Sequence, residues 1–276
     1  MSIISNFSLD GRVAVITGGS EGIGRGIALA FAEQGANVVV ASRTKEKLDG
    51  VCAEIRALGR EALAVPTDVT DPADIENLIG AAHKQFGRID ILVNNAGGPS
   101  GSTFSRGPLL DLTMQDFRGS IDMNLTSVFL ASTSAARIMM EQETGGSIIN
   151  IGSMAGRGHG WGPVHIMAVY GAAKAAVMHL TESMSIQWAP KIRVNCINPG
   201  HVSTPSVDST RGGAEGIERR RLTIGLERFG QPDDIAAAAL YLASDAGGWV
   251  TGTVLDVFGG DKVTHQLPGS SRPRTG

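Results

Sequence analysis

The stretch Val13-Ala14-Val15-Ile16-Thr17-Gly18-Gly19-Ser20-Glu21-Gly22-Ile23-Gly24 governs how the chain is read. Val13–Thr17 is a short, continuous apolar run, as expected of a strand buried on both faces of a parallel sheet. A glycine-rich turn follows. Beyond it, Ile23, Ile27, Ala30 and Phe31 recur at the spacing of one helix face. A strand, a glycine turn and a helix N-terminus in succession let backbone N–H groups approach a pyrophosphate. The spacing G-x-G-x-x-G is not matched in register, so dinucleotide binding rests on the flanking strand and helix. A tight turn that merely packs helix on strand is the plainer alternative.

The same unit repeats along the chain. Further apolar runs stand at 37–42, 62–66, 91–94, 147–151, 192–197 and 253–257. Between them lie stripes such as Leu48, Val51, Cys52, Ile55 and Ile75, Leu78, Ile79, Ala82. The stripe Phe117, Ile121, Leu125, Val128 predicts one continuous helix face. Alternating strands and helices predict a doubly wound α/β fold, with a seven-stranded parallel sheet and right-handed crossovers.

The 276 residues suit one domain over about 1–260, followed by a Gly/Pro/Ser/Arg-rich tail at 261–276. The tail reads equally as a partner contact or as disorder. The charged segment Pro205–Gly230 reads as a lid over a site, spanning about 203–230, or as a solvated excursion. A net charge of −3 gives no electrostatic reason to expect nucleic acid or an anionic membrane. No apolar run is long enough to span a bilayer, and Met1–Arg12 lacks the pattern of a signal peptide. Cys52 and Cys196 lie in separate apolar runs and read as buried free thiols, which suits a reducing cytoplasm. The six histidines show no zinc-ligand spacing, so no catalytic metal is expected.

In such sheets ligands bind beyond the carboxyl ends of the strands, and the unusual residues fall there. Ser42-Arg43 follows the second run. An Arg at this place meets the 2′-phosphate of NADP, whereas an acid would take the ribose of NAD. NADP(H) is therefore favoured over NAD(H), although Glu21 in the glycine loop weighs the other way. Asp68-Val69 follows the third run, as an adenine contact or a simple turn. Asn94-Asn95-Ala96-Gly97 follows the fourth, where small residues allow close approach. Asn124 interrupts an apolar stripe, either as a satisfied core amide or as a holder of water. Ser153 follows the fifth run and Asn198-Pro199-Gly200 the sixth.

Tyr170-Gly171-Ala172-Ala173-Lys174 opens a helical stripe, and residues four apart share a helix face. An ammonium held beside a phenol favours the phenolate and is expected to lower its pKa toward neutrality.

Jointly these residues resemble the short-chain dehydrogenase/reductase family over about 9–260. The carriers are the Thr-Gly-x-x-x-Gly-x-Gly loop at 17–24, Asn-Asn-Ala-Gly at 94–97, and Asn124, Ser153, Tyr170 and Lys174 in order. The resemblance implies an enzyme in which Tyr170 exchanges a proton with a carbonyl or alcohol oxygen. It implies that Lys174 lowers the tyrosine pKa and binds the nicotinamide ribose, that Ser153 orients substrate, and that Asn124 holds a relay water. Gly18, Ser20, Gly22, Ile23 and Gly24 would line the pyrophosphate and ribose. Val202 and Thr204, after Pro199 and Gly200, would hold the carboxamide and phosphates.

The chain looks most like 3-oxoacyl-carrier-protein reductases. A dehydrogenase of a steroid, sugar or other secondary alcohol is the near rival, and a non-catalytic dinucleotide sensor or scaffold the distant one. The family also implies a tetramer built on the helices of Asn124 and Tyr170. An acidic carrier protein would want a basic dock, which Arg211 with Arg219, Arg220 and Arg221 would supply. The 16 residues between Ser153 and Tyr170 exceed the family's usual gap, and the excess holds His159, Trp161 and His165.

Overall fold

A computed structural model of the chain describes residues 3–158, 166–205 and 213–260. Seven parallel strands form one sheet in the order β3-β2-β1-β4-β5-β6-β7. They are β1 Val13–Thr17, β2 Asn37–Ser42, β3 Ala62–Pro66, β4 Ile91–Asn94, β5 Gly146–Ile151, β6 Ile192–Pro199 and β7 Val254–Val257. The order reverses between β1 and β4, so a crevice opens at their carboxyl ends.

The helices are α1 Gly22–Glu33, α2 Lys45–Ala57, α3 Pro72–Phe86, α4 Met114–Ile121, α5 Ser127–Glu141, α6 Ala168–Trp188, α7 Gly213–Arg221 and α8 Pro232–Ala243. Local signals explain several boundaries. Asp71 caps α3 by accepting from the Ala73 N–H, and Pro72 supplies the first helical residue. Thr113 and Asp116 close a reciprocal capping box on α4.

Two apolar layers clamp the sheet. Ile27, Phe31, Leu48 and Ile235 pack on one face, and Ile75, Leu78, Ala135 and Met139 on the other. β1, β2 and β4 lie between both layers, and their interior residues are fully buried. The expectation of strands buried on both faces is corrected at the edges. β3 and β7 have a neighbour on one side only and remain largely half-exposed.

The single stripe from Phe117 to Val128 also needs correction. Asp122–Thr126 forms a π-turn between α4 and α5. Its wider spacing shifts the helical register. Phe117 is therefore exposed while Val128 is buried, and Asn124 is turned fully inward. Cys52 and Cys196 are buried free thiols. Among the described residues no helix is long and apolar enough to cross a membrane.

Candidate active site

The strand ends open into one cleft of about 640 Å³. The glycine loop forms its floor. Gly18 adopts φ +65°, and a β-carbon there would come within 2.7 Å of the Asn95 amide nitrogen. A β-carbon on Gly24 would collide with the Gly18 carbonyl oxygen. Both positions therefore need glycine for the chain to fold back this tightly.

The Asn95 amide staples the loop by donating to the carbonyls of Thr17 at 3.0 Å and Gly18 at 3.1 Å. The Thr17 hydroxyl in turn accepts from the N–H groups of Asn95 and Ala96. Loop and β4 terminus thus form one cradle, shaped to receive an anionic dinucleotide.

Ser20, Gly22 and Ile23 line this cradle, and Ser42, Arg43, Asp68 and Val69 line the next stretch of the cleft. Among the described residues the Ser42 hydroxyl is buried without a hydrogen-bond partner, which leaves it open to a ligand. Asp68 accepts from the backbone and hydroxyl of Thr70, which holds its carboxyl below the usual range, and the Arg43 charge adds to this. Glu21 is joined to Lys47 at 2.6 Å, so a second cation stands beside the glycine loop.

Asn95, Ala96 and Gly97 lead toward the reactive end, where Ser153, Tyr170 and Lys174 meet Pro199, Gly200, Val202 and Thr204. Tyr170 is the third residue of α6, and the Lys174 ammonium lies 5.8 Å from its ring centre. Lys174 is only 2% exposed and donates to the Ile151 carbonyl at 2.7 Å. Burial pulls its pKa from 10.5 down to about 8.

The expected lowering of the tyrosine pKa is corrected for the protein alone. Enclosure among the cleft walls pushes the phenol up, and the Ser153 hydroxyl beside it pulls only partly back. The physical reason is that desolvation opposes both charged forms, the phenolate and the ammonium. Each charge would nonetheless relieve the other if both formed together.

Two of the expected residues do not face the cleft. Gly24 sits behind the loop, packed on it. Asn124 is fully buried. Its carbonyl oxygen accepts from the Gly98 N–H, and its amide donates to the carbonyls of Gly98 and Ser120, each at 2.9 Å. Both amide hydrogens are thereby used, so its visible work is to pin the loop after β4 to the π-turn.

Sequence reasoning placed Asn198 at a strand end and gave it no role. Its carbonyl oxygen accepts from the Ser153 N–H at 3.1 Å, and its amide donates to Asp256 at 2.9 Å. Asp256 in turn pairs with Arg157 at 3.1 Å. This chain ties the Ser153 turn to β6 and β7. A polar residue inside an apolar strand was the available signal. Met123, Met154, Ile166 and Met167, an apolar wall near Tyr170, were also missed. His159, Trp161, His165, Arg211 and the tail at 261–276 lie outside the described residues. Among the described residues no three His, Cys, Asp or Glu side chains converge as metal ligands.

A doubly wound sheet, a glycine cradle at its switch point and a Ser/Tyr/Lys cluster beside it define a nicotinamide-dependent oxidoreductase acting on hydroxyl or carbonyl groups. A family model described as enoyl-(acyl carrier protein) reductase matches residues 18–261. The chain is 42% identical to an uncharacterized oxidoreductase of Mycobacterium tuberculosis, over 94% of this chain and 95% of that protein. It is 40% identical to the 7alpha-hydroxysteroid dehydrogenase of Escherichia coli K12, over 92% and 96% of the two chains. It is 38% identical to a 3-oxoacyl-[acyl-carrier-protein] reductase of Synechocystis, over 92% and 98%.

A solved 7 alpha-hydroxysteroid dehydrogenase, complexed with NADH and 7-oxo glycochenodeoxycholic acid, superposes with a TM-score of 0.86. That pair shares 39% identity over 95% of this chain and 98% of the other. The chain belongs to the short-chain dehydrogenase/reductase family.

Proposed function

We propose that this enzyme interconverts a ketone and a secondary alcohol with NADP(H), as a ketoreductase similar to 3-oxoacyl-carrier-protein reductases. The observation that carries the reading is the convergence of Ser153, Tyr170 and Lys174 beside the glycine cradle in one cleft. The nicotinamide, when bound, supplies or takes up the hydride. Gly18, Ser20, Gly22 and Ile23 bind its diphosphate and ribose side, with Gly24 giving the loop its shape. Val202 and Thr204 bind near the other end, beside Pro199 and Gly200.

The Tyr170 hydroxyl donates a proton to the carbonyl oxygen as that oxygen gains charge. The Ser153 hydroxyl donates a second hydrogen bond to the same oxygen and fixes its place. The Lys174 ammonium stabilises the phenolate that Tyr170 becomes. Asn124 orders the loop that carries Gly97 and Gly98, and a relay water beyond it would restore the proton.

Arg43 supports NADP(H), because it stands at the end of β2 without an ion-pair partner among the described residues. The Lys47–Glu21 pair supports it further by offsetting the one acidic residue of the loop. The NADH in the similar dehydrogenase structure favours NAD(H) as the second reading. The same relative makes oxidation of a steroid alcohol the second reading for substrate.

Exposed Phe129 and Ile186 on α5 and α6 support burial against further copies, as in a tetramer. The two buried free thiols support a cytoplasmic location. A lid at about 203–230, of which residues 206–212 lie outside the described residues, is supported by Thr204, Pro205 and Arg220, which line the cleft.

The test is NADPH-linked turnover against ketones, 3-oxoacyl thioesters and secondary alcohols. Turnover of a 3-oxoacyl thioester above all others is expected. Preference for a steroid alcohol with NAD would replace the leading reading by the second.

A further inference from the structure

Resting on that reading of the cleft, the inference concerns what the substrate carries far from its reacting carbon. Near Tyr170 the wall is apolar, formed by Met123, Met154, Ile166 and Met167. Two cations join the same cavity, Arg106 from the loop after β4 and Arg220 from α7.

The run Arg219-Arg220-Arg221 explains why one of its members is left for the cleft. Successive helical residues point about 100° apart. Arg221 turns back to the Glu218 carboxylate at 2.7 Å and the Glu227 carbonyl at 2.8 Å. Arg228 is likewise held by Asp234 at 2.7 Å. Arg220 is half-buried in the cleft, and neither it nor Arg106 has a side-chain partner among the described residues. The described carboxylates on the cleft are Glu21 and Asp68, both at the dinucleotide end. Among the described residues the cleft therefore joins an apolar wall to two cations that no carboxylate beside them offsets.

We propose that Arg220 and Arg106 recognise an oxyanion on the substrate. The substrate is then an amphipathic ketone or secondary alcohol, whose apolar body lies on the methionine wall and whose carboxylate or phosphate meets the arginines. Guanidinium groups suit this task, because their forked donors match both oxyanions.

The test uses the enzyme saturated with oxidised cofactor, NADP or NAD, which cannot reduce a ketone. A keto fatty acid, the matching keto alkyl phosphate and the uncharged methyl ester are titrated by calorimetry. One of the two anions should bind about tenfold to a hundredfold more tightly than the ester, and the gap should shrink with salt. The tighter anion identifies the head group. Arg220→Gln and Arg106→Gln should each weaken the anion about tenfold and leave the ester within about twofold. Thermal unfolding unchanged from wild type establishes that both variants are folded.

Equal binding of anions and ester, or equal losses for both in the variants, would overturn the proposal. Tight arginine-dependent binding without NADPH oxidation on the same ketone would leave the anion site standing and sink the proposed reaction. Turnover of ester and acid alike would do the reverse.

Discussion

Replacing Lys174 with Met tests how much charge the cleft holds under strain. The ammonium is 2% exposed, and its pKa falls from 10.5 to about 8. That drop corresponds to about 3 kcal/mol of penalty for keeping the proton in the folded state. Below about 8 both folded and unfolded chains are protonated, and the penalty is complete. Between about 8 and 10.5 the unfolded chain binds more protons, so this group makes stability rise with pH. Above 10.5 both states are neutral and the penalty is gone.

Lys174→Met removes the penalty but leaves the Ile151 carbonyl without its donor, at a cost of about 1–3 kcal/mol. The two effects nearly cancel near neutral pH, so the variant should be about as stable as wild type or slightly more so. Near the upper end of the window only the cost remains. The variant's stability relative to wild type should therefore fall by about 3 kcal/mol between pH 7.5 and pH 10.5. Urea unfolding of both cofactor-free proteins, at one protein concentration, measures this difference, and other titrations cancel in it. A flat difference across the window would refute the reasoning.

Arg43→Ala should raise the KM for NADPH about tenfold to a hundredfold and leave that for NADH within about threefold; equal losses would remove the basis for NADP. Asn198→Ala should lower kcat at least tenfold with the NADPH KM unchanged, because it frees the Ser153 N–H and the Asp256 carboxylate. Normal kcat in a folded variant would show that the Ser153 turn holds its place without it. Gly24→Ala should abolish NADPH binding by fluorescence titration, since the new methyl strikes the Gly18 carbonyl. Unchanged affinity would mean the loop can shift without harm.

The fold was legible because strands between two helix layers have to be apolar on both faces. Each such run stands out between amphipathic stripes, and six of the seven matched at both ends or within one residue. β6 runs on to Pro199 because Asn198 and Pro199 pair with Asp256 and Val257, partners that no local pattern reveals. The π-turn was illegible for a similar reason. A stripe read at constant period has no means of registering one residue inserted at Asp122–Thr126. At the site, chemistry-bearing residues announced themselves at strand ends. The tyrosine pKa did not, because spacing gives the neighbour's charge but not the desolvation that outweighs it. Arg220 was read as part of a basic run; its place on the cleft wall, with Arg221 turned away to Glu218, is visible only in the structure.

The most direct trial of the whole account is the NADPH-dependent reduction rate of Tyr170→Phe on the best ketone, measured beside its affinity for NADPH. Loss of at least about a thousandfold in kcat, with cofactor affinity within about threefold of wild type, is the expected result. A kcat near the wild-type value would place the proton donor elsewhere and contradict the account.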